Sequence, residues 1–278
     1  MDTINALIMG IIQGLSEYLP ISSSGHLEIC RQILGMDLPG DEALQFSILL
    51  HVATVLSTIV VLWKEFMPLC KAFFTFRKGP EFNYVIKILI SCIPVAIVGI
   101  CFKDFVEQFF GNGLFTVGIC LCVTAVLLSF TYFYRTDPRT AVCKHNGTIS
   151  QGRDITYIDA FVIGIAQAIA VLPGLSRSGS TIATGILIGD KRSEMAKFSF
   201  FMVIIPILGE ALLDAKKIFE APAADASMEW MPMLAGFLAA FVVGCAACRW
   251  MINIVKKGKL VWFAVYCLIV GIICMIFQ

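Results

Sequence analysis

Runs of about 20 apolar residues recur along the chain, the length a helix needs to cross a hydrocarbon core of roughly 30 Å at 1.5 Å per residue. Six stretches fit that pattern: 44–63, 85–102, 114–134, 198–213, 231–252 and 260–277. Two more, 3–35 and 157–189, are long enough to span but carry polar phrases in their middle. Leu19-Pro20 stops the first helical run, because proline has no N–H to donate and drives the preceding residue out of helical geometry. Leu172-Pro173-Gly174 does the same in the second. Each run restarts after serines and stops again at a glycine, Gly35 or Gly189. The pattern predicts an all-α polytopic membrane protein, with six transmembrane helices plus two re-entrant helical hairpins.

The two halves repeat. A shift of 154 residues lays Ile4, Ala6, Gly10, Ile11 and Gln13 on Ile158, Ala160, Gly164, Ile165 and Gln167. The same shift lays Ser22, Ser24 and Gly25 on Ser176, Ser178 and Gly179. The expected layout is one membrane domain over 1–278: a first repeat at about 1–134, a cytoplasmic loop at about 135–156 and a second repeat at about 157–278. A hairpin plus three spans per repeat makes the second copy inverted relative to the first. Inverted repeats with broken helices at the midplane are how membrane proteins build polar sites.

Composition agrees with a bilayer environment. Hydrophobic residues make up 58% of the chain and charged residues 15%, where a soluble domain carries roughly a quarter charged. A net charge of +1 gives no sign of a nucleic-acid partner. The eleven cysteines lie mostly in apolar runs, and the Cys245/Cys248 pair has no second pair to complete a metal site. Basic residues orient the chain by the positive-inside rule. With re-entrant hairpins, one face collects Lys64, Lys71, Arg77 and Lys78, then Arg135, Arg139, Lys144 and Arg153. It continues with Lys191, Arg192 and Lys197, then Lys256, Lys257 and Lys259, against Arg31, Lys103, Lys216 and Lys217 opposite. The first face is expected in the cytoplasm.

The polar phrases hold the candidate chemistry. SSSGH and SRSGS put small residues before a helix start, where unpaired N–H groups bind anions; Ser22 and Ser176 serve equally as plain helix caps. Arg177 at membrane depth costs about 2.5–3.5 kcal/mol, so it needs a partner or a task. Its planar fork suits a phosphate, and Glu17 is the alternative partner. Glu17 follows Gln13 by one helical turn, a face that can hold Mg²⁺ or Ca²⁺ through oxygen atoms, orient His26 or take a proton. Ser23 and His26 share a side of the second helical segment, the minimal arrangement of an activated nucleophile. His51 and Glu210 are read as edge or packing groups, and Glu28 with Arg31 as a mutual pair. No GxxxxGK[ST] occurs, so nucleotide binding has no support.

QGLSEYLPISSSGH, from Gln13 to His26, resembles the [E/Q]xxxE segment and Ser-rich turn of the bacterial undecaprenyl-diphosphate phosphatases, the bacitracin-resistance family. LPGLSRSGST, from Leu172 to Thr181, resembles that family's PGxSRSxxT motif. The resemblance implies hydrolysis of undecaprenyl diphosphate, a lipid carrier of wall synthesis, with a divalent cation, Mg²⁺ or Ca²⁺. It implies a site in the bacterial cytoplasmic (inner) membrane, open to the outer side. Carried over position by position, functional roles fall on Glu17, Ser23, His26, Ser176, Arg177, Ser178 and Thr181. Gln13, Ser22 and Ser24 join the substrate-binding set, and Glu17 is the expected metal ligand. Gln13 leaves one carboxylate where the motif allows two, so the diphosphate is expected to supply the other ligands. The type-2 phosphatidic acid phosphatases are excluded, since no histidine follows Ser176-Arg177. An inverted-repeat transporter or flippase for a polyprenyl phosphate is the rival reading, and a Ser–His pair is what separates the two. Sequence is silent on whether the chain forms a homodimer.

Overall fold

The computed structural model describes residues 1–36, 40–102, 113–133, 143–145, 148–150, 152–220 and 230–277. Lys103, Arg135 and Arg139, and part of the expected loop at 135–156, lie outside the described residues. The first half contains α1 (Thr3–Ser16), α2 (Ser23–Ile33), α3 (Gly40–Val61), α4 (Trp63–Thr75), α5 (Pro80–Cys101) and α6 (Gly113–Phe133). The second contains α7 (Tyr157–Ile169), α8 (Arg177–Leu187), α9 (Arg192–Glu220), α10 (Trp230–Lys256) and α11 (Val261–Ile276). The described residues are helical throughout, as expected, apart from a short antiparallel pair, β1 (Cys143–His145) with β2 (Thr148–Ser150), in the polar segment between the halves.

Five of these helices are long and apolar enough to cross a membrane: those containing Glu42–Val61, Pro80–Cys101, Gly113–Tyr132, Arg192–Leu213 and Trp230–Lys256. The sixth expected span is α11, whose 16 residues rise about 24 Å, short of a full hydrocarbon core. The helix α4 was not expected. Its Trp63, Met67, Phe73 and Phe74 are exposed, and Lys64 and Lys71 share the same short helix.

Both interrupted stretches break where proline dictates, and each restarts with a serine cap. Ser22 accepts from the Gly25 N–H at 3.2 Å and Ser176 from the Gly179 N–H at 3.0 Å. Such a cap contributes about 1 kcal/mol. Ser22 stands at φ 73°, a left-handed conformation uncommon for a residue with a side chain. The ends match as well. After α2, Gly35 at φ 59° lets its own N–H reach the Gln32 carbonyl and the Met36 N–H reach that of Arg31. After α8, Gly189 at φ 100° does the same with Ile186, and the Asp190 N–H with Gly185.

Packing crosses between the halves. On α1, Ile4, Leu7, Ile11 and Leu15 face outward while Ala6, Met9, Gly10, Gln13 and Gly14 are buried. On α7, Ile158, Phe161, Ile165 and Ile169 face outward while Ala160, Ile163, Gly164 and Gln167 are buried. These are helical periods with the large apolar face turned to lipid. The small face of α1 packs on α10 and that of α7 on α5. A Cβ added to Gly10 would lie 2.3 Å from the Gly236 carbonyl oxygen, and one on Gly164 would lie 2.4 Å from that of Ser91. Small residues at both contacts let the backbones touch. The helices α6 and α11 cross with Gly118 and Gly271 facing each other.

Beyond the end of α8, Arg153 holds the segment before α7 against the turn at Asp190. Its backbone exchanges hydrogen bonds with Gly189 and Lys191, and its guanidinium donates to Asp159 at 2.6 Å. Asp159 also closes a capping box with Thr156, which fixes the start of α7. Asp190 is buried beside Asp159. Burial, and then the neighbouring Asp159 carboxylate, push its carboxyl up to about 7 against the pull of Arg153.

Two outcomes follow from this packing. Gly10→Ala is expected to lower the thermal unfolding midpoint in detergent by several degrees. Gly99→Ala, on α5 with nothing within 4 Å of an added Cβ, should cause no fall. An aspartate whose folded value lies above its ordinary one near 4 favours folding while protonated. That contribution is full below about pH 4 and lost as the pH rises through about 7. The midpoint of the native chain should therefore fall across that window. Asp190→Asn should flatten the fall and raise the midpoint above pH 7, as a pH series of melting curves will read.

Candidate active site

Glu17 caps the C-terminal end of α1, its N–H still bonded to the Gln13 carbonyl, and four side chains meet on its carboxylate. Gln13, one turn earlier, donates through Nε2 to Oε2 at 3.0 Å. Ser23, the first residue of α2, donates its hydroxyl to the same oxygen at 2.7 Å. The Arg177 Nη2 lies 3.6 Å from Oε1, and the His51 Nε2 lies 3.8 Å from Oε2. The Glu17 side chain is only 8% exposed, so these groups, not water, set its electrostatics.

Each neighbour is fixed by an element of its own. Arg177 is the first residue of α8, placed by the Ser176 cap. Its carbonyl accepts from the Thr181 hydroxyl at 2.9 Å, and that hydroxyl pairs with Ser199 of α9 at 2.6 Å. His51 comes from α3, which is held to the turn by Tyr18. The Tyr18 hydroxyl donates to the Thr54 carbonyl at 2.6 Å and pairs with Ser57 and Thr58, all on α3. The Tyr18 ring packs edge-on against Phe200 of α9 at 5.1 Å.

The two turns are tied to each other. The Gly174 N–H donates to the Ser24 hydroxyl, and the Ser178 hydroxyl donates to the Leu19 carbonyl, each at 3.3 Å. Gly25 and Gly179 allow the approach: an added Cβ would meet the Gly174 Cα at 3.3 Å in one case and the Pro20 Cβ at 3.2 Å in the other. Serines of both turns thus supply hydrogen bonds that the interrupted helices lack.

Among the residues singled out from sequence, Gln13, Glu17, Ser23 and Arg177 come together, and Ser178 and Thr181 line the same cavity. Ser22 and Ser176 act as caps, and Ser24 ties the turns. His26 points elsewhere. Its Nδ1 meets the Ser22 carbonyl at 2.9 Å and so carries the proton, leaving Nε2 to accept from the Tyr266 hydroxyl at 2.8 Å. The expected Ser23–His26 pairing is thus replaced by Ser23–Glu17. Glu28 and Arg31 form the anticipated pair, at 3.0 Å.

Sequence reasoning passed over Gln167, Ser199 and Tyr266, and gave His51 no part in the chemistry. A signal for His51 existed: Ser47, His51, Thr54 and Thr58 make a polar stripe at helical spacing along an otherwise apolar span. Gln167, the repeat counterpart of Gln13, lines the cavity between Glu17 and Arg177. The cavity is roomy enough to hold a water molecule. Among the described residues, oxygen donors for a cation are few. They are the Glu17 carboxylate and the buried Gln13 Oε1 and Gln167 Oε1, neither amide oxygen having a hydrogen-bond partner among those residues.

A family model described as "Bacitracin resistance protein BacA" matches residues 6–273. A Bacteroides thetaiotaomicron protein named undecaprenyl-diphosphatase is 54% identical over 278 residues, covering 100% of both chains. A Bacteroides fragilis protein of the same name is 54% identical over 276 residues, covering 99% of this chain and 98% of its own. One from Christiangramia forsetii, again so named, is 42% identical over 277 residues, covering 100% of this chain and 98% of its own. With matches of this length bracketing the Glu17 and Arg177 turns, the chain belongs to the BacA bacitracin-resistance family.

Proposed function

We infer that this chain hydrolyses undecaprenyl diphosphate to undecaprenyl monophosphate and inorganic phosphate, recycling the lipid carrier for cell-wall synthesis. Its relatives carry the name of that activity over their whole length. The observation that carries the reading to residues is that one buried carboxylate holds a serine hydroxyl and an arginine from opposite halves of the chain.

In this proposal Arg177 exchanges Glu17 for the diphosphate. The guanidinium fork can grip phosphate through two parallel hydrogen bonds, better than the 3.6 Å contact it has with Glu17. The first-turn N–H groups of α8 add to the anion site. Ser23 is the nucleophile and Glu17 its base, since the hydroxyl already points its proton at Oε2. As the serine oxygen bonds to the terminal phosphorus, its proton passes to Glu17 and the bridging P–O bond breaks. Undecaprenyl monophosphate leaves. Water then cleaves the serine phosphate, releasing inorganic phosphate and restoring the hydroxyl.

A divalent cation, Mg²⁺ or Ca²⁺, belongs to the proposal. Glu17 and the Gln13 Oε1, which has no hydrogen-bond partner among the described residues, offer the oxygen ligands such ions take, and the diphosphate supplies others. When bound, the ion neutralises charge on the phosphate oxygens. The fold proposal is six spans with two re-entrant hairpins in inverted repeats. It is supported by equivalent contacts on both sides: Gly10 on α10 against Gly164 on α5, and Ser24 against Ser178 between the turns. The site is assigned to the outer side of the bacterial cytoplasmic membrane, following the excess of basic residues on the opposite face.

Purified protein in detergent should release phosphate from undecaprenyl diphosphate, and EDTA should stop it. Arg177→Ala should reduce the rate by about 10²–10³-fold or more, as loss of a charge-stabilising donor does. Well-folded native chain that binds the lipid and releases nothing would overturn the phosphatase. Acid quenching with substrate labelled at the terminal phosphate should trap label on the native chain and none on Ser23→Ala. Near-normal turnover by Ser23→Ala would mean that water attacks directly.

A further inference from the structure

The helix α4 takes no part in the site, and its outward surface is divided in two. The inward side is fixed by Phe66 and Leu69, which pack on the core, with the Phe66 ring stacked 6.3 Å from that of Phe201. Glu65, on the same side, accepts from the Lys197 Nζ at 2.9 Å. The side turned away from these contacts carries two rows. Trp63, Met67 and Phe74, at i, i+4 and i+11, form an exposed apolar row. Lys64 and Lys71, at i and i+7, form an exposed basic row beside it.

Beyond the helix the division continues. The chain turns at Phe76, whose ring lies 6.4 Å from that of Phe73 and 6.5 Å from that of Phe82. Phe74 and Phe76 are 77% and 73% exposed, and the exposed Arg77 and Lys78 follow at once. From 63 to 78 four basic residues stand against one acidic residue, Glu65, which Lys197 already occupies.

The neighbouring helices say where this surface lies. The segment Glu42–Val61 is long and apolar enough to cross a membrane, and so is Pro80–Cys101. Leu62 alone separates α3 from α4, and α5 starts soon after α4 ends. One span therefore leaves the bilayer where α4 begins, and the next enters it close to where α4 stops. The 13 residues of α4 rise about 20 Å, too little to cross a core of roughly 30 Å. A short helix at a bilayer surface, with an apolar row beside a basic one, matches the boundary between acyl chains and negatively charged headgroups.

We propose that α4 and the aromatic turn after it bind the anionic phospholipids of the leaflet in which α3 ends and α5 begins. Trp63, Met67 and Phe74 enter the acyl boundary, and Lys64, Lys71, Arg77 and Lys78 take the headgroup phosphates. Nothing in this depends on the reaction at Glu17.

The experiment uses the full chain with Trp230, Trp250 and Trp262 replaced by Phe, which leaves Trp63 as the single tryptophan. It is reconstituted into vesicles of phosphatidylcholine with phosphatidylglycerol as the minor lipid, and bromine is carried near the headgroup by one lipid at a time. Trp63 fluorescence should be quenched by brominated lipid and shielded from acrylamide in the water. Quenching by acrylamide without quenching by lipid would overturn the placement of α4. Mole for mole, phosphatidylglycerol should quench about fivefold more strongly or better, the factor by which a single basic residue favours an anionic surface. Lys64→Gln, Lys71→Gln, Arg77→Gln and Lys78→Gln together should bring that ratio close to one. Equal quenching by the two lipids before those changes, or a ratio that they leave intact, would overturn the proposal. If the tryptophan-depleted chain yields little folded protein, thermal unfolding of the native chain in detergent decides. Added phosphatidylglycerol should raise its midpoint by several degrees more than phosphatidylcholine does, and no difference between the two lipids would overturn the proposal.

Discussion

Everything at this site depends on one constraint, that a helix interrupted within an apolar, buried stretch must find other partners for the backbone groups it leaves behind. Here the two interruptions satisfy each other. Ser24 of the first takes the Gly174 N–H of the second, and Ser178 of the second donates to the Leu19 carbonyl of the first. Hydrogen bonding of this kind brings the end of α1 and the start of α8 together. The end of α1 carries Glu17 and the start of α8 carries Arg177. The site is therefore a by-product of mending two broken helices, and either turn alone would hold half of it.

The same closeness explains why Glu17 has so many partners. A buried carboxylate costs several kcal/mol to strip of water, and Arg177, Ser23 and Gln13 together offset that loss. A phosphate drawing Arg177 away would leave the carboxylate with fewer stabilising contacts. In the proposed reaction, anion binding by Arg177 and the action of Glu17 on Ser23 meet in that one side chain.

Much of this could be read from sequence, because proline and glycine act locally. The breaks at Leu19-Pro20 and Leu172-Pro173-Gly174, and the stops at Gly35 and Gly189, need no tertiary information. The contact of Arg177 with Glu17 stood in the sequence only as the alternative to a phosphate, and it takes the meeting of the two turns to bring it about. The direction of His26 was different. Spacing puts it near Ser23, but its ring is captured by the Ser22 carbonyl and by Tyr266, 240 residues along the chain. Spacing along a helix cannot anticipate a partner from α11. His51 escaped because a lone histidine in an apolar span has many uses, and only the Tyr18 anchor on α3 shows which face of that span meets the turn. The helix α4 escaped because its short amphipathic run follows α3 after a single residue.

The crossed packing of the halves also dictates an order of events at the ribosome. The small face of α1 has its partner on α10, where Gly10 meets Gly236, so the first helix made must wait for one of the last. At ~5–20 residues per second the interval is ~10–50 s. For ~8–32 s of that time, until residue 177 is made, Glu17 lies without the arginine that faces it in the finished protein. A nascent chain of this design is most vulnerable in its first half. Its first helix finds its packing partner only after every residue that meets on Glu17 has been made.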